Sequence, residues 1–143
     1  MNSALEQHIE RIRMATTQRF SRANVADWVK KNTYLNGKPF TTAGHEYQDK
    51  IMSDLSQELV VKKSAQIGLS ECSLRLTLGL VSIMPNFSAI YTMPTATLAG
   101  TYVKARLDPI IQGSPFLRAA IRGEMDSAVA KQLGPNNFMY VSG

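Results

Sequence analysis

Three consecutive stretches constrain this chain most: a β-branched run, Leu59-Val60-Val61, a polar loop through Gly68, and residues Leu69 to about Met84, apolar nearly all round. The run reads as a strand entering the loop. A helix without a polar face has to be covered on every side. A second pair follows: Ser88 to Met93 has strand composition and is closed by Pro94, and Thr95 is placed to cap a helix bearing Leu98, Tyr102, Val103 and Leu107. Strands and helices alternating over short connections predict an α/β layer structure with a mostly parallel sheet. Asn137 to Val141 supplies a third and last strand, which makes the sheet thin and incomplete.

Ahead of this core, Leu5, Ile9, Ile12 and Met14 recur at near-helical spacing between Ser3 and Phe20, with Arg11, Arg13, Arg19 and Arg22 biasing the other face. A short helix starts at Asn24 and carries Val25, Trp28 and Val29 inward, Trp28 as a packing anchor, before Lys30-Lys31-Asn32. Leu35-Asn36-Gly37-Lys38-Pro39 reads as a loop. Tyr47, Ile51 and Leu55 then share one face of a helix expected over Glu46 to Gln57. Asp108-Pro109 is expected to break the helix that Thr95 opens, and Ser114-Pro115 to start another with Leu117 and Ile121. The expected organisation is a helical segment over residues 1–35 and the α/β portion over 36–143.

With 143 residues, 44% hydrophobic and 19% charged, one core is the default. Sixteen Lys and Arg against eleven Asp and Glu leave a formal charge of +5, which favours a polyanionic partner without specifying one. Cys72 stands alone, which excludes an intrachain disulfide and a cysteine-rich zinc site and fits a reducing cytosol. Glu6, Glu10 and Asp27 interrupt the first thirty residues, against a secretory signal, and Leu76 to Met84 is too short to span a bilayer, so no membrane role is expected.

The chemistry concentrates in Lys63-Ser64-Ala65-Gln66-Ile67-Gly68-Leu69-Ser70. A phosphate-binding loop needs inward backbone N–H groups, a lysine against the phosphate charge, and a hydroxyl for Mg²⁺ at the start of the next helix. The common pattern G-x-x-x-x-G-K-[ST] has the same eight positions, but here Lys63 holds the first and Leu69 the seventh. A loop curling round phosphate brings its first residue near the region its seventh normally reaches, so Lys63 can supply the charge, Gly68 the close approach and Ser70 the metal-binding hydroxyl. The bland alternative is a plain turn with Ser70 as N-cap and Lys63 as a solvated cation. Tyr47 is by default a core aromatic, His8 and His45 lack partner spacing, and the arginine-bearing helix is by default a solvated face. Arg106, Arg118 and Arg122 are candidates for a phosphate sensor or an interface, with nothing to choose among them.

The loop string closely resembles the deviant Walker A of lambda-type phage terminase large subunits, K-[GS]-[AS]-[RQ]-[VI]-G-[YWL]-[ST] with the lysine in front. Pro39-Phe40 and Glu46-Tyr47-Gln48-Asp49-Lys50-Ile51-Met52 resemble the family's adenine-recognition stretch. Tyr91-Thr92-Met93-Pro94-Thr95, Arg106-Leu107-Asp108-Pro109-Ile110-Ile111 and Pro115-Phe116-Leu117-Arg118 are similar to its continuation. The resemblance covers about Trp28 to Gly143. It implies a P-loop NTPase core of the RecA-like type, ATP and Mg²⁺ as cofactors, Lys63 and Ser70 on phosphate and metal, Gln66 on phosphate, and Tyr47 and Gln48 at the base. It further implies a motor that packages double-stranded DNA, with a small terminase subunit and a portal as partners, in a bacterial host's cytoplasm; assembly with further copies is left open. The family continues past Val141-Ser142-Gly143 to a Walker B aspartate, a catalytic glutamate and a nuclease domain. None of Asp108, Glu124 or Asp126 follows an apolar strand as a Walker B acid must, so no catalytic residue is assigned. The alternatives to an ATP-binding motor fragment are a non-catalytic remnant and a DNA or subunit-interaction module.

Overall fold

The computed structural model describes residues 4–9, 24–121 and 126–143. Residues 4–9 are helical and exposed. Arg11, Arg13, Arg19, Arg22, Arg122 and Glu124 lie outside the described residues.

Helix α1, Val25–Asn32, buries Val25, Ala26 and Val29 and ends at Thr33, whose backbone N–H and Oγ1 both donate to the Val29 carbonyl. Trp28 anchors it as expected, its ring meeting Phe116 edge-on at 5.4 Å. The expected loop at Leu35 to Pro39 is instead a hairpin, β1 Tyr34–Leu35 and β2 Lys38–Pro39, paired antiparallel. Asn36 (φ 52°) and Gly37 (φ 75°) form its two-residue turn. Positive φ at both central residues is what a tight hairpin turn demands, and Asn-Gly satisfies it at least steric cost.

Helix α2 runs from Tyr47 to Ser53, shorter than expected. Asp54 turns extended, and its Oδ1 accepts the Ser56 backbone N–H at 2.7 Å, a local bond that competes with another helical turn. The buried face is Gln48 and Met52, one position round from the expected stripe, and Leu55 is exposed.

Helix α3, Leu69–Ile83, lies between two apolar clusters, which is why it is apolar nearly all round. Its Leu74, Leu78 and Val81 face one cluster, and Cys72 and Ile83 join the other with Val25, Val29, Phe40 and Met52. Each fully buried aliphatic side chain contributes about 1.5–3 kcal/mol. At Gly79 the helices come close enough that a Cβ would sit 2.7 Å from Val25 Cγ2.

Three strands form the main sheet in the order β3-β5-β4: β3 Ser88–Thr92, β4 Ala130–Gly134 and β5 Asn137–Ser142. β3 and β5 are parallel, but β4 and β5 form an antiparallel hairpin, so the sheet is mixed and not mostly parallel. Asn137 fastens the hairpin to the end of α3, its Nδ2 donating to the carbonyls of Val81 (2.5 Å) and Met84 (2.7 Å). Leu59-Val60-Val61 is not a strand: the segment is exposed, Val60 to 93%, and no strand pairs with it among the described residues. A β-branched run becomes a strand only where a neighbour completes its ladder.

Thr95 caps helix α4, Ala96–Tyr102, accepting from the Leu98 N–H at 3.2 Å. The expected break at Asp108-Pro109 does not occur. Val103–Leu107 widens into a π turn and leads directly into α5, Asp108–Gly113, with Pro109 in its first turn. A proline ring that would clash with the carbonyl four residues back is tolerated where the helix is locally re-registered. Ser114 then caps α6, Pro115–Ala120.

Candidate functional site

The segment from Lys63 to Ser70 leads into the N-terminus of α3. Gln66 (φ 58°) and Gly68 (φ 74°) both take left-handed backbone conformations, two sharp reversals within three residues. Gly68, not Ser70, is the N-cap, and no side chain caps the helix there. The first bond of the helical ladder runs from Cys72 N to Gly68 O at 3.0 Å, so the N–H groups of Leu69, Ser70 and Glu71 have no intrahelical acceptor. Lys63 is exposed, its Nζ donating at 3.3 Å to the Ser64 carbonyl, and Ser70 is an exposed residue at the second position of the helix.

The loop is held from behind. Tyr47 Oη donates to the Ile67 carbonyl, and Gln48 Nε2 reaches the same oxygen at 3.3 Å. Gln48 is only 4% exposed, and a Cβ on Gly68 would lie 3.0 Å from its Nε2, so any larger residue at 68 would press on this buried amide. The base-reading candidates therefore grip the loop itself. His45, expected to stand alone, has its Nδ1 3.2 Å from Tyr47 Oη and its ring edge-on to Tyr47. Behind them Asp49 pairs with Lys30 at 2.7 Å and accepts from Thr42; the hydrogen bond from Lys30 holds its carboxyl below the usual range.

One residue past Ser70, Glu71 binds two arginines. Its Oε1 meets Arg106 Nη1 at 2.9 Å, and its Oε2 pairs with Arg75 Nη1. Arg75 is 1% exposed, donates to the Tyr34 carbonyl at 2.9 Å and lies 4.6 Å from the centroid of Phe40. It joins the β1–β2 hairpin to the first turns of α3. Sequence reasoning passed over it because one arginine in an apolar run carries no periodic signal; the preceding Glu71 at i,i+4 was the available clue. Of the sensor candidates, Arg106 is thus brought to the loop, while Arg118 is exposed on α6. Burial pushes the Cys72 thiol up to about 11, which leaves it a packing residue.

Asp108 and Asp126 are both committed to Lys131, at 2.9 and 2.5 Å. Burial alone would lower the Lys131 pKa, but the hydrogen bonds that its Nζ donates to the two carboxylates outweigh it and raise it. Neither acid faces the Lys63–Ser70 loop as a partner. His8 is exposed in the N-terminal helical turn.

A glycine-pivoted loop, an uncapped fifteen-residue helix aimed through it and a lysine at its front fit an anion's requirements. Among the described residues no group of three or more His, Cys, Asp or Glu could hold a metal ion. A divalent cation here would need phosphate oxygens as well as Ser70. No helix among the described residues is long and apolar enough to cross a membrane.

These features place a glycine-pivoted loop ahead of a helix without a side-chain cap, on a mixed α/β scaffold. The family follows from comparison: the model for the ATPase domain of the phage terminase large subunit gpA matches residues 36–140, and the chain belongs to that family. Neither the curated proteins nor the solved structures gave a match.

Proposed function

We propose that this chain binds the triphosphate of ATP on Lys63 to Ser70, as part of an ATPase that drives double-stranded DNA in phage packaging. The observation that carries the reading is the uncapped N-terminus of α3 behind the Gly68 reversal, in a chain of the terminase ATPase family. In it Lys63 neutralises phosphate charge, and the N–H groups from Ser64 through Ser70 cradle the oxygens. Gln66 contacts phosphate, and Ser70 ligates Mg²⁺ carried by the nucleotide. Tyr47 offers its half-exposed ring to the base while its hydroxyl holds Ile67; Gln48, buried on the loop carbonyl, acts on the base only through the loop.

The scaffold is a P-loop NTPase core over residues 36–143, preceded by an N-terminal segment, 1–35. Hydrolysis needs a water-positioning group and an acid securing the metal. Asp108 and Asp126 are paired with Lys131 and Glu71 with two arginines, so the described residues account for binding and not for the chemical step. Coupling to DNA movement, with a small terminase subunit and a portal as partners, belongs to the assembled motor.

The test is titration of the purified chain with a fluorescent ATP analogue and Mg²⁺, wild type against Lys63→Ala. Binding that the substitution abolishes supports the reading; a folded wild-type chain that binds no nucleotide refutes it and favours an interaction module.

A further inference from the structure

The first turn of α3 carries an acidic residue beside the place proposed for phosphate, and the fold covers its charge twice. Glu71 is one of the residues whose N–H has no acceptor within the helix, and a bare carboxylate there would repel a bound anion. Arg75 takes Glu71 Oε2 from the inside. It is fully buried, donates from Nη2 to the Tyr34 carbonyl at 2.9 Å and lies 4.6 Å from the Phe40 ring centroid, so the carboxylate it grips is fixed as well. Arg106 takes Glu71 Oε1 from the outside at 2.9 Å. Two positive charges against one negative keep this turn cationic.

Arg106 differs from Arg75 in what it has left to give. Its side chain is 57% exposed, Glu71 is its one partner among the described residues, and a single bond from Nη1 leaves most of the guanidinium N–H donors open. The π turn that carries it is pinned in the core at both ends by Val103 and Leu107. A long exposed side chain held in place by a fixed carboxylate has already given up much of the rotamer freedom that gripping an anion would cost. We infer that Arg106 is a second cation of the phosphate site, touching the bound triphosphate with its open N–H groups, and that Glu71, fixed by Arg75, is the positioning residue that holds it there. The inference rests on the reading of residues 63–70 as the phosphate site and adds to Lys63 a cation from a different element.

The test measures ATP dissociation constants by calorimetry, at fixed Mg²⁺ and low salt, for the full chain, Arg106→Gln, Glu71→Gln and the double variant, with circular dichroism checking the fold of each. Arg106→Gln is expected to weaken binding roughly tenfold, the loss of one charge-assisted contact at an exposed site. Glu71→Gln separates positioning from charge. On charge alone, removing an anion beside bound phosphate tightens ATP. The amide, however, has one oxygen for two arginines; buried Arg75 keeps it and Arg106 is released, so binding is expected to weaken roughly threefold. In the Arg106→Gln background nothing is left to position, and the same change is expected to tighten ATP. Undiminished affinity of Arg106→Gln, unchanged or tighter binding by Glu71→Gln alone, or weakening by Glu71→Gln in both backgrounds each overturns the inference and leaves the phosphate site standing. Arg106→Gln, at an exposed position, carries the test if Glu71→Gln fails to fold. A folded wild-type chain that binds no ATP overturns the reading of residues 63–70 as well.

Discussion

Gly68→Ala is expected to destabilise the chain by an amount that three glycines together can resolve. At φ 74° an L-residue costs roughly 1–2 kcal/mol. The added Cβ would also stand 3.0 Å from Gln48 Nε2, a buried amide whose bond to the Ile67 carbonyl is already 3.3 Å long. Displacing that amide sacrifices about 0.5–1 kcal/mol of net hydrogen bonding. The sum is roughly 1.5–3 kcal/mol. Gly44, at φ 77° with nothing within 4 Å of a Cβ, isolates the backbone cost, so Gly44→Ala should lose only about 1–2 kcal/mol. Gly100, inside α4 with nothing within 4 Å, should gain up to about 1 kcal/mol as alanine. Urea unfolding followed by circular dichroism gives all three values. Gly68→Ala as stable as Gly100→Ala would refute the left-handed pivot, and Gly68→Ala equal to Gly44→Ala would refute the clasp by Gln48.

Gly79→Ala should destabilise despite the better helix former, because crowding Val25 and Trp28 costs about 1–3 kcal/mol against a propensity gain near 1; a rise in melting temperature would contradict the packing described. At Lys131 the two sides of the ion cluster should differ: Lys131→Met leaves half-exposed carboxylates that rehydrate and should change stability by less than about 1 kcal/mol, whereas Asp108→Asn with Asp126→Asn strands a buried lysine and should cost about 3. Chemical denaturation of both variants checks the asymmetry. Asp49 has its folded pKa held below the ordinary 3.8, so its contribution is complete above that value and is lost as pH falls through the folded one. Acid melts of Asp49→Asn should accordingly show a shallower decline below pH 3.8 than wild type, and parallel curves would rule the linkage out.

The elements legible in the sequence were those whose signal is local. Leu69 to Met84 reads as a buried helix because no polar stripe interrupts it, Thr95 and Ser114 announce the caps they become, and Trp28 sits among apolar neighbours at helical spacing. What stayed hidden depended on partners or on competing turns. Leu59-Val60-Val61 has strand composition but no ladder to join, and β4 has little strand composition but a ladder supplied by β5. The Asn36-Gly37 hairpin was visible in principle and was read only as two breakers. Pro109 looked like a stop because a π turn cannot be read from composition. At the loop, residue identities were legible, while the grip of Tyr47 and Gln48 on Ile67 and the reach of Arg106 to Glu71 are long-range pairings that no spacing reveals.

The most direct measurement of the central claim is a ¹⁵N–¹H correlation spectrum of the chain recorded with increasing ATP and Mg²⁺. The account predicts that the amides of Gly68, Leu69 and Ser70, which lead into α3 or lie in its first turn, shift first and furthest, with those of Ala130 and Tyr140 in the β4–β5 hairpin moving least. Shifts confined to other surfaces, or none at all, would contradict it.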